Sequence, residues 1–446
     1  MKRRNFIKYM SIVTAGVLLP NELNSATTNN TNPLFIFIQA SGGWDVTSLC
    51  DPKGYLANEI DSNNRVSTNA MNMSYANKDI VTMANGIKYP PITVATHGNS
   101  HQVIYDYATF FNKFENKLLV INGIDTQTNG HSSGSRFLMS GKLAEGYPAI
   151  SALIAGVNIP ASPLGFITSG GYDFTDNFVP STRISNASTL TQLSNTNKIS
   201  SDPTKSDTFI EKSVFSRIEK MRIERIDRII NKQKLDSIKN LMTEFKISHS
   251  GSNDLIKFDT SLKQLDTNLD AKAKSNTVFS QGRMAMAGYK SGLTASVNIS
   301  KGGFDTHSNN DRGQLSNLSK ILEGIDLLDQ EATNLGIANQ IVYIIGSEFG
   351  RTPSYNGNNG KDHWSVSSMM FIGAGINKTG VIGSTTHTHK VEKINPTTLK
   401  KDTNGIKMTY AHINKALRKL AKIDTNPKVI QYYSLPSNIE TLNLFG

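Results

Sequence analysis

Cysteine is nearly absent from this chain of 446 residues: Cys50 stands alone. An intramolecular disulfide is therefore excluded, and Cys50 reads as a small packing residue near a strand end. Long hydrophobic runs are missing too. The apolar stretch Met10 to Leu19 is too short to span a bilayer. No other segment is long and apolar enough, so no stable membrane span is expected. There is no internal repeat, no Walker loop and no dinucleotide glycine pattern. Negative charge is the scarcer sign, 36 Asp and Glu against 47 Lys and Arg, a formal net charge of +11. Of that, Lys2, Arg3, Arg4 and Lys8 against Glu22 place +3 in the first 26 residues, and the remaining +8 is spread along the chain. No basic block interleaved with aromatics occurs, so nucleic acid is not an expected partner. The surplus implies a mild attraction to anionic substrates or envelope surfaces.

What is present begins with an export signal. Arg3-Arg4-Asn5-Phe6-Ile7-Lys8 resembles a twin-arginine leader. The short apolar stretch follows, and Asn24-Ser25-Ala26 ends in a small residue suited to signal peptidase. Residues 1–26 are read as this leader and residues 27–446 as a single mature domain. The expected partner in transit is the twin-arginine translocase, which carries folded proteins. The expected destination is the periplasm or another exported location.

The mature chain alternates helix and strand patterns. Buried strands are expected at Leu34 to Ile38, Leu118 to Ile121, Ala295 to Ser300, Ile341 to Ile345 and Met369 to Ile372. Apolar residues at helical spacing mark Val103 to Phe114, Val278 to Gly292, Leu315 to Leu328 and Tyr410 to Ala421. The predicted class is α/β, a mostly parallel sheet with helices on both faces. The region of about 165–275 reads as a polar and helical insertion, with a charged helix or helical hairpin over Thr208 to Lys246.

In such sheets the ligand sits beyond the carboxyl ends of the strands. Four predicted strand ends carry polar chemistry there. They are Asp45 after Gly42-Gly43-Trp44, the loop Asn129-Gly130-His131-Ser132, Asp305 with His307 after Gly302-Gly303, and Glu348 after Ser347. Asp362-His363-Trp364 follows in a loop rich in Gly and Asn. Acids and imidazoles on a rigid sheet edge, beside glycines, can hold a metal ion while loops leave room for a substrate. Each also has a plainer reading. Asp45 could cap a turn, Asp305 and His307 could form a surface turn, and Glu348 could pair with Arg351 as a buried ion pair. His387 and His389, in a Thr-rich loop, read as solvent-exposed.

Taken together, these residues resemble a known family. The features are the leader, Gly42 to Asp45, Gly302 to His307, Ser347 to Thr352, Gly360 to Trp364 and Phe371 to Ile376. The family is an exported bacterial one, domain of unknown function 1501 (DUF1501), within the alkaline-phosphatase-like superfamily. The resemblance implies that superfamily's α/β fold and a site for one or two divalent metal ions. By it, Asp45 would be the metal-binding acid that ends the first strand. Asp305 with His307 would be the later acid and histidine, and His363 the histidine ahead of an apolar strand, with Asp362 beside it. Glu348 would replace the acid of another pair, and Phe349 stands where a histidine would be. The interval from Asp305 to His307 is shorter than usual, which leaves Asn309 or Asp311 as alternatives. Mixed carboxylate and imidazole ligands favour Zn or Mn.

The same resemblance implies a nucleophile at the start of the helix that stops at Gly141. Counting back from Ser140-Gly141 lands near His131. A shift of one residue makes Ser132, in Ser132-Ser133-Gly134-Ser135-Arg136, the candidate nucleophile. His131 would then be a ligand or proton carrier, and Arg136 or Arg351 would clamp an anion. The implied function is a metal-dependent hydrolase acting on a small anionic ester, phosphate or sulfate. The alternative is a non-catalytic exported binding or envelope-assembly protein with a vestigial metal site.

Overall fold

Seven consecutive residues, Leu34–Ala40, form a strand in which every position is buried. Successive side chains of a strand point to opposite faces, and this one divides its apolar residues accordingly. Leu34, Ile36 and Ile38 enter one core with Leu318 and Leu322 of the helix Asn310–Asn334 and Phe279 of the helix Thr277–Lys290. Phe35 and Phe37 enter the other with Leu153 and Ile154 of the helix Ile150–Asn158 and Ile413 and Leu417 of the helix Tyr410–Leu420. Helices therefore cover both faces, which is why the strand reads as a continuous apolar run. These observations come from a computed structural model that describes residues 32–183, 197–200, 205–250, 252–265 and 269–446. The expected leader lies outside the described residues.

The main sheet has eight strands. Their spatial order is Gly380–Ile382, Leu118–Asp125, Val366–Gly373, Ile341–Gly346, Leu34–Ala40, Ser296–Lys301, Phe166–Thr168 and Ser181–Arg183. Val366–Gly373 runs antiparallel to both its neighbours, and every other pairing is parallel. The α/β class with a mostly parallel sheet is thus observed. One consequence positions the site. Parallel strands deliver their carboxyl ends to a single edge, and the one antiparallel strand delivers its amino end to that same edge. His363, just ahead of Val366, arrives there for this reason.

Local differences from the sequence reading have physical causes. The helix expected over Val103 to Phe114 is Tyr107–Phe114, preceded by a separate helix Val94–His101. Gln102, at φ 56°, closes the earlier helix in the left-handed conformation and breaks the run. The expected insertion begins inside the sheet, since Phe166–Thr168 and Ser181–Arg183 extend its edge. Further on, Lys212–Lys232 and Asp236–Ser250 pair as a helical hairpin that leaves Met221, Leu241 and Phe245 exposed. Among the described residues, no helix is long and apolar enough to cross a membrane.

Candidate metal centre

The loop after Leu34–Ala40 is built for close approach. Gly42 has φ 121°, and a Cβ there would lie 2.3 Å from the backbone nitrogen of Asp305. Gly43 has φ 85°, and its Cβ would lie 2.3 Å from the Phe349 ring. Only glycine fits both the backbone and the space. Arg351 then ties the loops together. Fully buried, it donates to the carbonyls of Gly43 (2.8 Å), Lys361 (2.8 Å) and Phe304 (2.9 Å), and to that of Gly42. Its guanidinium also bonds Asp305 Oδ1 at 2.7 Å.

Three imidazoles converge on Asp305. His131, the first residue of the helix His131–Ser140, brings Nε2 to 3.5 Å from Asp305 Oδ2. His307 Nε2 lies 3.1 Å, and His363 Nε2 3.3 Å, from Asp305 Oδ1. The two rings also face each other directly, Nε2 to Nε2, at 3.1 Å. The ligand atoms of His131, Asp305 and His363 all lie within 4.8 Å of one another, a grouping able to hold a metal ion.

The outer nitrogens of these rings are already committed. His131 Nδ1 faces Glu348 Oε1 at 3.0 Å, His307 Nδ1 faces Asp362 Oδ1 at 2.9 Å, and His363 Nδ1 faces the Asn129 carbonyl at 2.8 Å. An acceptor at Nδ1 puts the proton there and leaves Nε2 as a lone pair in the neutral ring. In that tautomer all three rings would present an Nε2 lone pair toward the Asp305 carboxylate, where a cation could lie between them. Glu348 is itself fixed, accepting from Gly42 N at 2.7 Å and from Ser347 Oγ and Gln39 Nε2 at 3.2 and 3.3 Å. Phe349 forms a floor under two rings, 4.4 Å from His363 and 5.0 Å from His131 between centroids.

Electrostatics keep the acids ionised. Burial pushes the Asp305 carboxyl up, but the Arg351 guanidinium bonded to it holds it below the usual carboxylate range. The His307 hydrogen bond holds Asp362 below the usual carboxylate range. Half of the Asp305 and His307 side chains remains exposed, so a small ligand can reach the cluster. A cleft of about 630 Å³ lies at the other end of the His131–Ser140 helix, lined by residues such as Lys142, Ile406 and His412, and includes none of these ligands.

A protein family described as "Protein of unknown function (DUF1501)" matches residues 33–412, a span that holds every residue of the cluster. The chain belongs to the DUF1501 family. No curated protein matches it. Among solved structures, the DUF1501 chain is similar to the alkaline phosphatase from the Antarctic bacterium TAB5. The identity is 9%, the match covers 88% of this chain and 98% of that one, and the TM-score is 0.35. It is also similar to the PsFucS1 sulfatase from Pseudoalteromonas sp., at 10% identity, with 94% and 73% covered and a TM-score of 0.37.

Several expected roles fall elsewhere in this DUF1501 protein. Asp45 is not among the converging groups: its carboxylate pairs with Lys361 at 2.7 Å, and both side chains are fully buried. Burial would raise its pKa, but that ammonium and its hydrogen bonds hold it below the ordinary range. Glu348 does not pair with Arg351, because His131 takes the first and Asp305 the second. Asp362 orients His307 from outside. Asp311 is occupied by Ser74 (2.6 Å) and Tyr355 (2.5 Å), and Asn309 is a left-handed residue ahead of a helix. His307 itself reaches the cluster despite its short spacing. Arg136 bonds the Leu143 carbonyl at 2.6 Å and the Glu145 carboxylate at 3.0 Å, which ties it to the loop after its own helix. Arg351 is sealed in the interior.

Ser132 is exposed, and no hydrogen bond among the described residues joins it to the cluster. Helix geometry explains this. Residues three and four apart share a face, and His131 shares its face with Gly134 and Ser135. A Cβ on Gly134 would lie 2.8 Å from the Glu348 carbonyl, and Ser135 accepts from Gln39 at 2.7 Å. The neighbouring Ser132 is turned about 100° away. Gln39, Ser135 and the Asn129 carbonyl were missed as supports. The glycine at 134 was the one sequence hint of which face packs inward. His389, expected in solvent, is fully buried.

Proposed function

We propose that this is an exported metal-dependent hydrolase of phosphate or sulfate esters, with His131, Asp305, His307 and His363 holding a divalent cation. One observation carries the reading. Three imidazoles whose outer nitrogens are engaged aim their inner nitrogens at one carboxylate, with the Nε2 atoms of His307 and His363 3.1 Å apart. With the proton of each ring on Nδ1, two lone pairs would face each other there, a repulsion that a cation between them removes. The edges of the triangle made by His307, His363 and Asp305 measure 3.1, 3.1 and 3.3 Å. Ligands on a tetrahedral ion with bonds of about 2.0–2.1 Å stand about 3.4 Å apart. Three nitrogens and one carboxylate suit Zn or Mn better than Mg or Ca.

A divalent ion held there supplies Lewis acidity toward an ester oxygen and lowers the pKa of water. The protein's own groups orient and insulate. Glu348 and Asp362 fix ring tautomers, Arg351 balances Asp305, and Phe349 keeps water from the floor of the site. Ester chemistry is supported by the family resemblance together with the exposed face of Asp305. Because His131 stands among the ligands and Ser132 does not, the reading has no covalent serine step. Ser132→Ala should therefore keep its activity toward aryl phosphates and sulfates within about threefold, whereas His131→Ala should lose it together with metal affinity. Loss of turnover in Ser132→Ala at unchanged metal content would restore serine as nucleophile. The engagement of both Arg136 and Arg351 favours one rival, a binding protein without turnover. Bound metal with no hydrolysis of monoesters, diesters or sulfate esters would support that rival.

The export half of the proposal rests on Arg3-Arg4 with Phe6 and the apolar stretch behind them. Replacing both arginines by lysine should trap the precursor in the cytoplasm, read by fractionation. Undiminished export of the double variant would remove the twin-arginine assignment.

A further inference from the structure

Four carboxylates and two permanent cations surround the cluster, and their pairing is uneven. Asp305 has Arg351 and Asp45 has Lys361, while Glu348 and Asp362 contact only imidazoles and neutral donors. The Asp45 carboxylate is also saturated. Its Oδ2 takes Lys361 Nζ at 2.7 Å and Asn310 Nδ2 at 3.0 Å. Its Oδ1 takes Thr47 N at 3.0 Å and Thr47 Oγ1 at 2.6 Å. A carboxylate offers about four acceptor positions, and here all are filled. Lys361 is equally settled, donating to the Met71 carbonyl at 2.6 Å and lying 4.7 Å over the Tyr355 ring.

We propose that the protein holds a single divalent cation, at the His131, Asp305, His307 and His363 cluster, and that Lys361 acts as a fixed internal cation that closes Asp45 to a second one. The proposal rests on the reading of that cluster as a cation site. A metal ion at Asp45 would have to displace a buried ammonium, and the displaced charge would stay beside it. Two cations would then repel across an interior that screens poorly. Lys361 thus performs at Asp45 the neutralising role that a second ion would otherwise fill. It does so permanently and independently of metal supply.

The test is stoichiometry, read without reference to activity. The mature protein, stripped with a chelator, is titrated with Zn²⁺ and then with Mn²⁺ by calorimetry, and its metal content is measured after dialysis. One equivalent per chain is expected. The paired substitution Asp45→Asn with Lys361→Met, which removes both charges together, should keep that equivalent with affinity within about threefold. Two equivalents in the unaltered protein would overturn the proposal. So would loss of the bound equivalent in the paired variant, provided its circular dichroism is native. If that variant does not fold, the stoichiometry of the unaltered protein decides alone. Zero equivalents in the unaltered protein would instead defeat the cluster reading, and this inference with it.

Discussion

Replacing His363 by alanine should lower the affinity for Zn²⁺ by more than about 100-fold. Loss of an outer-shell partner alone typically costs about 10–100-fold, and His363 is proposed to bind the ion directly. Among the described residues its inner Nε2 meets only His307 and Asp305, and its Nδ1 is held by the Asn129 carbonyl at 2.8 Å. Asp362→Asn, which loosens only the orientation of His307, should fall inside the smaller range. Competition with a chromophoric chelator separates the two. Stability gives a second reading. An ion present at about 100 times its dissociation constant adds about 2.7 kcal/mol to the folded state. The unaltered protein should gain that on metal addition, and His363→Ala should gain almost none. Without metal the order should narrow, because the alanine removes a lone pair held against another at 3.1 Å. A variant that binds Zn²⁺ as tightly as the unaltered protein would exclude His363 as a ligand.

The parts of this protein that were legible in sequence are those that depend on neighbours along the chain. Strand Leu34–Ala40 announced itself by an apolar run, and helix Asn310–Asn334 by Leu315, Leu318, Ile321, Leu322, Ile325 and Leu328 on one stripe. Glycines next to acids at strand ends marked the edge of the sheet where the site lies. The pairing of charges across the fold was not legible. Asp45 and Asp305 both close a strand and look alike in sequence, yet one meets Lys361, 316 positions away, and the other meets three histidines. Glu348 finds His131 across 217 positions. Which of two adjacent residues, His131 or Ser132, faces inward depends on helix phase, and a single residue turns that by about 100°. His389 shows the same limit from the other side. Its neighbours Thr386, Thr388 and Lys390 suggest solvent, but Trp364 and the Asp51 loop bury it.

That burial gives the remaining large effect, on acid stability. His389 is fully buried, and among the described residues neither ring nitrogen has a hydrogen-bond partner. The Asp51 carboxylate stands 3.7 Å away, beyond bonding distance. Burial pushes the imidazole down, Asp51 offsets only part of this, and the pKa falls from 6.5 to about 4. Above pH 6.5 the ring is neutral whether the chain is folded or not, and it contributes nothing to pH dependence. Between pH 6.5 and about 4 the unfolded chain takes up a proton that the folded one refuses, so stability falls as pH falls. Below about 4 both states are protonated and the loss levels off, at a total of about 3 kcal/mol at 1.36 kcal/mol per unit. His389→Asn should remove this component. Asparagine does not titrate, and it tolerates the left-handed backbone that His389 adopts at φ 56°. Urea unfolding at pH 7.5 and pH 4.5, with chelator present, should show the unaltered protein losing about 2–3 kcal/mol more than the variant. Equal losses in the two proteins would mean that the folded chain accepts the proton at His389, and that the ring is not sealed from solvent.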